Sequence, residues 1–328
     1  MADNQIIMVG TVGQGIMRSA DGGESWQRVG INQGLHSDAL VRTLVNNPAV
    51  PESMFCGTDK GLYRSQDGGQ NWEWVRSPLS DFCVWAIAID PVEPSVMYAG
   101  TGTPTPAAVF RSKDGGVTWE RRPMEAAETC PAVGSPRVTG IAIDPDNRQN
   151  IWLGLEVDGV RRSIDGGDTW SSLNGAIPNL DIHNVAVAAG PPNTVVIVVN
   201  NDVYTSTDDG STWDQLGIRD IFPMTYPRGI MVHPGRTNTI FVTIGDSTPG
   251  RNGAVMRSED TGKTWQSMPL PVQPNTAMWV VNIQPDDPQL VLAGSRYGYL
   301  YRSNDGGNKW EKLWREFSEI SSVLWIPG

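Results

Sequence analysis

Ser65-Gln66-Asp67-Gly68-Gly69-Gln70-Asn71-Trp72 is the stretch whose reading decides the fold. Its pattern, S-x-D-x-G-x-x-W, returns at Ser19–Trp26, Ser112–Trp119, Ser163–Trp170, Ser206–Trp213, Ser258–Trp265 and Ser303–Trp310. The Asp falls at 21, 67, 114, 165, 208, 260 and 305, in steps of 46, 47, 51, 43, 52 and 45. A period of this size held from end to end marks a repeat architecture. Seven units across 328 residues fit one closed ring better than several separate cores.

The segment 82–119 shows one unit most plainly. Phe82–Ile89 is apolar and β-branched and ends at Asp90-Pro91; Ser95–Gly100, Ala108–Ser112 and Val117–Arg121 follow as further short runs. Runs of this length between Gly, Pro, Asp and Ser clusters predict a four-stranded antiparallel meander. The repeated phrase joins its third and fourth strands. Each residue of the phrase suits a rigid turn. Asp accepts hydrogen bonds from N–H groups a few residues on, Gly supplies positive φ, and Trp has the area to plug the gap beside the turn.

These phrases resemble Asp-box, or BNR, repeats, a likeness that covers the whole chain. Asp209 stands for the first Gly in the fifth copy and Thr261 in the sixth. Proteins with such repeats include sialidases, xyloglucan-cleaving glycoside hydrolases, sortilin-type receptor domains and a photosystem assembly factor. The resemblance implies an all-β fold: a single seven-bladed β-propeller of four-stranded antiparallel blades over residues 1–328, with no second domain. It also implies that the repeated turns are structural and lie away from the ligand face, so fold follows more strongly than activity.

Six first strands are legible, ending at Pro48, Pro91, Pro145, Ala189, Pro234 and Pro285. The first unit lacks one, because Ile6–Thr11 already reads as a second strand. Ile320–Ile326, followed by Pro327, is the expected replacement, so that the C-terminal strand closes blade 1 and removes the free edges. The connections between fourth and first strands vary in length (124–136, 173–182, 216–227), as does the loop 245–253, whereas those on the opposite face are short. Variable loops on a rigid scaffold place binding on that face.

Composition bounds the function. A net charge of −11 and a sequence pI near 4.7 disfavour nucleic acid, whose phosphates need a basic surface. No run approaches the roughly 18 apolar residues of a membrane span. Met1–Gln5 has no basic region, so the expectation is a soluble, cytoplasmic protein, although a chain trimmed of a leader would read the same. Cys56, Cys83 and Cys130 are odd in number and lack a Cys-x-x-Cys pair, which argues against a disulfide framework or structural zinc.

Aligning the first strands on their terminal prolines puts Arg42, Trp85, Thr139, His183, Arg228, Trp279 and Ser321 at one end of the ring axis, with Arg137, Asp181, Tyr226 and Glu319 just before them. Aligning the second strands adds Asp59, Glu156, Asn201, Asp246 and Arg296, with Tyr297 beside it. The expectation is a pocket for a small polar, anionic or carbohydrate-like molecule. Arg42, Arg228 and Arg296 serve as anion clamps, Trp85 and Trp279 as stacking walls, and Arg137, Asp59 and Tyr297 as further ligand contacts. Glu156, Asp59 or Asp246 is the candidate general acid or base, and His183 or Tyr226 the candidate nucleophile or proton carrier. The reaction expected is hydrolysis or elimination; the alternative is a non-catalytic ligand-binding or assembly module, and a protein partner is left open. No cofactor is expected. No metal is expected either, since His36 and His183 lie three units apart without a third ligand at the usual spacing.

The resemblance to sialidases has limits. Their Arg-Ile-Pro segment is missing, and they have six blades with fewer such boxes. The xyloglucan-cleaving enzymes have boxes in more blades but face two propellers across a shared cleft. No catalytic residue carries over from either. Deleting residues 319–328 is expected to abolish soluble folding; a cooperative melt at unchanged temperature would overturn the closing role of the last strand.

Overall fold

The computed structural model describes residues 5–175 and 177–326. Among them the chain is almost entirely strand, with three short 3-10 turns at Ile31–Gln33, Pro78–Asp81 and Ile218–Asp220. No helix is long and apolar enough to cross a membrane. The strands form five four-stranded antiparallel sheets and one of eight. The eight-stranded sheet is two four-stranded meanders that meet at a single ladder position, Arg137 opposite Gly102. The architecture is all-β, built from repeated four-stranded units, as a propeller requires.

The unit read over 82–119 is present as Cys83–Ile89, Met97–Gly102, Val109–Ser112 and Glu120–Arg122. The fourth strand begins later than expected because Trp119 belongs to the turn, where its indole N–H donates to Gly116 O at 3.1 Å. Glu319–Ile326 pairs antiparallel with Ile6–Val12, from Ile6 opposite Ile326 to Val12 opposite Glu319. The last strand of the chain thus stands in the first unit, where the sequence left a strand missing. Each unit's first strand also packs on the next, and Glu319–Ile326 packs on Val41–Asn47.

Both faces of the sheets are covered, so the second strands read as continuous apolar runs rather than alternating ones. Met97–Gly102, Ile151–Glu156, Thr194–Val199 and Ile240–Gly245 are buried along their whole length. Successive residues feed opposite cores: Met8 packs with Met54, Tyr63 and Trp72, while its neighbour Ile7 packs with Leu292, Phe317 and Trp325. Adjacent sheets approach closely through glycine. A Cβ on Gly100 would lie 2.4 Å from Val138 Cγ1, and one on Gly10 2.5 Å from Val41 Cγ1.

The repeated phrase closes each turn in nearly the same way. Ser65 Oγ donates to Asp67 Oδ1 (2.9 Å) and accepts from Gly69 N (3.0 Å), Asp67 Oδ1 accepts from Asn71 N (2.9 Å), and Trp72 Nε1 donates to Gly69 O (3.1 Å). Gly68 and Gly69 have φ of 68° and 77°; Asp209 and Thr261 adopt φ of 60° and 61° at the first-Gly position. In the fifth copy the indole N–H of Trp213 turns away, to Leu173 O at 3.0 Å, and in the fourth that of Trp170 has no partner among the described residues. The ladder sets Ser65 opposite Met54, and Met54 opposite Asn46, so the turn lies at the far end of its unit from Arg42.

These turns make stability acid-sensitive. Hydroxyl and N–H donors of Ser25 hold the Asp21 carboxyl at about 2, against an ordinary 3.8, and those of Thr118 do the same for Asp114. At Asp165 slight burial pushes upward, but the Thr169 donors outweigh it and the value is again about 2. A carboxylate with a depressed folded pKa contributes stability above its unfolded value and loses it as pH falls through the folded one. The melting temperature is therefore expected to drop from about pH 4 towards pH 2, and less steeply in the D21N/D114N/D165N variant. An equal slope in both would remove these carboxylates as the cause. Separately, Gly100→Ala is expected to cost about 1–3 kcal/mol in urea unfolding, by overpacking against Val138.

Candidate functional site

The site begins with an irregularity in the first strands. In each unit the pairing of first and second strand is interrupted near one end, leaving one extra residue on the first strand. The interruption falls at Ser321, Arg42, Trp85, Thr139, His183, Arg228 and Trp279 in turn. An extra residue in a β-ladder bends the strand and re-aims its side chain. All seven line one cavity of about 710 Å³.

The interruption also frees backbone carbonyls, and three of the re-aimed side chains satisfy the carbonyl next door. Ser321 Oγ donates to Val41 O (2.7 Å), Thr139 Oγ1 to Ile182 O (2.8 Å), and His183 Nδ1 lies 2.6 Å from Pro227 O. Each acceptor immediately precedes the re-aimed residue of the following unit. A carbonyl oxygen can only accept, so the His183 Nδ1 carries a proton.

Two arginine–tryptophan groups form the cavity walls. Arg42 and Arg137 lie 4.2 and 4.6 Å from the Trp85 ring centroid; Arg228 and Arg296 lie 4.3 and 4.6 Å from that of Trp279. Tyr226 stands between His183 (centroids 4.9 Å) and Trp279 (6.3 Å, stacked). Carboxylates pair with three of the four arginines. Glu156, buried, takes Arg137 at 2.7 Å and Arg228 at 3.1 Å, and Glu319 takes Arg296 at 3.1 Å. Among the described residues Arg42 has no carboxylate within ion-pair distance.

This arrangement fixes the protonation of the acids. Burial alone would raise the Glu156 pKa, but the positive charges of Arg228 and Arg137 outweigh it and hold the carboxyl below its ordinary value. Asp181 is likewise held low: burial opposes ionisation, and the His183 imidazole, with Arg228, wins. Burial works against the Arg228 charge too, and Glu156 more than restores it. Glu156 and Asp181 are thus both held below their ordinary pKa.

Of the residues expected at the site, Arg42, Trp85, Arg137, Glu156, His183, Tyr226, Arg228, Trp279 and Arg296 line the cavity. Asp59, Asp246 and Tyr297 are not among the lining residues. Asp59 Oδ1 instead accepts from Leu40 N at 2.7 Å. Asp246 caps its own loop, accepting from Arg251 N (2.9 Å) and Asn252 Nδ2 (3.0 Å). Although slight burial acts against them, these donors lower the Asp246 pKa. Tyr297 is 47% exposed and meets the fold through its backbone, which bonds to Thr276 and Asn275.

The ladder explains the slip. Arg137 lies opposite Glu156, and the matching positions in the fifth and sixth units are Asn200, whose N–H bonds Asp181 O, and Gly245, opposite Tyr226. The sequence alignment placed them one residue late, at Asn201 and Asp246, because those strands lack the guiding glycine. Loop residues Thr103, Pro104, Ala132, Val133 and Thr248 also line the cavity and carry no periodic signal. Glu156, Asp181 and His183 can bring one donor atom each within 4.8 Å of one another, a grouping hidden from a search for paired histidines.

Comparison with known proteins gives a consistent neighbourhood. A family model described as Sortilin-Vps10 (sortilin, neurotensin receptor 3) matches residues 201–325. The chain is similar to xyloglucanase Xgh74A of Acetivibrio thermocellus, 26% identical over 285 residues, covering 72% of this chain and 33% of that protein. It is also similar to sortilin of Rattus norvegicus, 28% identical over 140 residues, covering 42% of this chain and 16% of that protein. The crystal structure of the GH74 xyloglucanase from Xanthomonas campestris superposes with a TM-score of 0.64 at 22% identity, covering 88% of this chain and 46% of that one. YCF48 from Cyanidioschyzon merolae superposes at 0.59 and 17% identity, covering 87% and 89%. The chain spans about a third of the length of the first curated relatives it matches. The resemblance to xyloglucanase and sortilin propellers read from the repeats is thus found independently.

Glu156→Gln is expected to destabilise the fold by about 3–5 kcal/mol in urea unfolding, because it strands the buried Arg228 charge. A loss below about 1 kcal/mol would mean that the pair is relaxed by solvent.

Proposed function

We propose that the chain is a single seven-bladed propeller, closed through its last strand, that acts on carbohydrate and takes a small acidic saccharide in the cavity. The blade count rests on seven four-stranded meanders, the eight-stranded sheet counting as two. Closure rests on the packing of first strands in sequence from Val41–Asn47 round to Glu319–Ile326 and back.

The observation that carries the ligand class is Arg42. Its guanidinium lies over Trp85, 4.2 Å from the ring centroid, and among the described residues it is the cavity arginine without a carboxylate partner. A sugar face stacks on an indole, and a carboxylate or sulfate on that sugar pairs with the adjacent guanidinium. The similarity to xyloglucanases supports carbohydrate as the class; the unpaired charge favours an acidic member of it. Tyr226 is the proton carrier of this reading, since Glu156 is an ion-pair anchor. A second reading, binding without catalysis, is favoured by one observation: Glu156 and Glu319 are both engaged in ion pairs with arginine.

Calorimetry with uronate-containing oligosaccharides and neutral xyloglucan oligosaccharides separates these. The acidic ligands are expected to bind, with Arg42→Met weakening them about ten- to hundredfold and Arg42→Lys less. Equal binding of neutral oligosaccharides, untouched by Arg42→Met, would overturn the acidic class. Bond cleavage by the wild type that Tyr226→Phe removes without loss of binding supports the enzyme; binding without cleavage selects the second reading.

A further inference from the structure

We propose that Glu156, Asp181 and His183 form a binding site for a first-row divalent cation. The inference stands apart from the saccharide reading and starts from the histidine. His183 is 3% exposed, and its Nδ1–H is committed to Pro227 O at 2.6 Å. Nε2 is the ring atom left to take a further partner. It lies 3.6 Å from Asp181 Oδ2, beyond hydrogen-bond range. Nε2 and Asp181 Oδ1 are both buried and make no hydrogen bond among the described residues. Buried polar atoms without a partner call for one, and a single bound ion would satisfy both.

The donor set suits a metal. A cation about 2.1 Å from each ligand bridges donors roughly 3–3.5 Å apart, so Nε2 and Oδ2 are already close to that span. Glu156 supplies a third donor within 4.8 Å. One imidazole with two carboxylates favours zinc or manganese over calcium. The surroundings match those of a built site: the histidine's other nitrogen is held by a carbonyl, and the glutamate is held by Arg137 and Arg228.

Charge adds a consequence. The two arginines already balance the two carboxylates, so a bound dication leaves the cavity positive and calls for an anion as its outer ligand. Cation and acidic ligand are then coupled, each strengthening the other by the same factor.

The test uses the full chain, stripped with a chelator and titrated with Zn²⁺, Mn²⁺ and Co²⁺ by calorimetry and by thermal melting. One saturable site is expected, with a raised Tm and a Co²⁺ absorption band in the visible. Asp181→Asn and His183→Gln are each expected to weaken binding at least about tenfold; should the histidine variant fail to fold, the aspartate variant carries the test. Absence of saturable binding for all three ions overturns the site, as does binding undiminished in Asp181→Asn, which would point to donors such as the exposed His36 and Asp38. A His183 ring found doubly protonated by nitrogen NMR, in a protein that binds none of the ions, would put a proton where the cation is proposed.

Discussion

One extra residue near the mouth of each first strand is the constraint on which the rest of the site depends. A regular strand alternates its side chains between faces, and in this molecule both faces are packed against neighbouring sheets. A residue in register could reach the axis only by leaving its core. The interruption releases one residue per unit from that alternation, and the seven released side chains meet around one cavity. The same irregularity leaves carbonyls without ladder partners, and Ser321, Thr139 and His183 answer three of them across the boundary between units. The site and the contacts between neighbouring units are therefore held by one device.

The electrostatics follow from that geometry. Arginines held over indoles keep their charge in a confined space, where each demands a counter-ion. Among the described residues Glu156 and Glu319 pair with three of the four, and Arg42 has no carboxylate partner. The same arginines hold the Glu156 carboxyl below its ordinary pKa and keep its charge engaged in ion pairs. The similarity to xyloglucanases and sortilin fits a scaffold shared by proteins with differing duties, since function belongs to the residues that do not repeat.

Much of this was legible in the sequence, for a physical reason. The turn phrase and the proline-terminated strands repeat, so alignment of the units amounts to a register, and it picked out the seven re-aimed residues correctly. The register failed at Asn201 and Asp246, where Val198 and Thr243 stand in place of the glycine that marks close approach in other units. Tyr297 was drawn in by its neighbour Arg296, yet its side chain is free of the ladder. Loop residues such as Thr103 and Thr248 were invisible because nothing periodic specifies them. The partnership of His183 with Asp181 and Glu156 was missed because it joins two adjacent units, and a search for histidine pairs has no means of seeing it.

The carbonyl ties divide the mouth into two kinds of position. Ser321, Thr139 and His183 tie one unit to the next, and Arg228 is held by Glu156, so a change of side chain at any of the four disturbs the scaffold as well as the lining. Arg42, Trp85 and Trp279 have no such tie and answer chiefly to whatever enters the cavity. A lineage built on this scaffold could thus exchange one ligand for another by drifting at three sites while four stayed fixed. Its capacity for new specificity is set less by the size of the cavity than by which side chains the backbone has left free to vary.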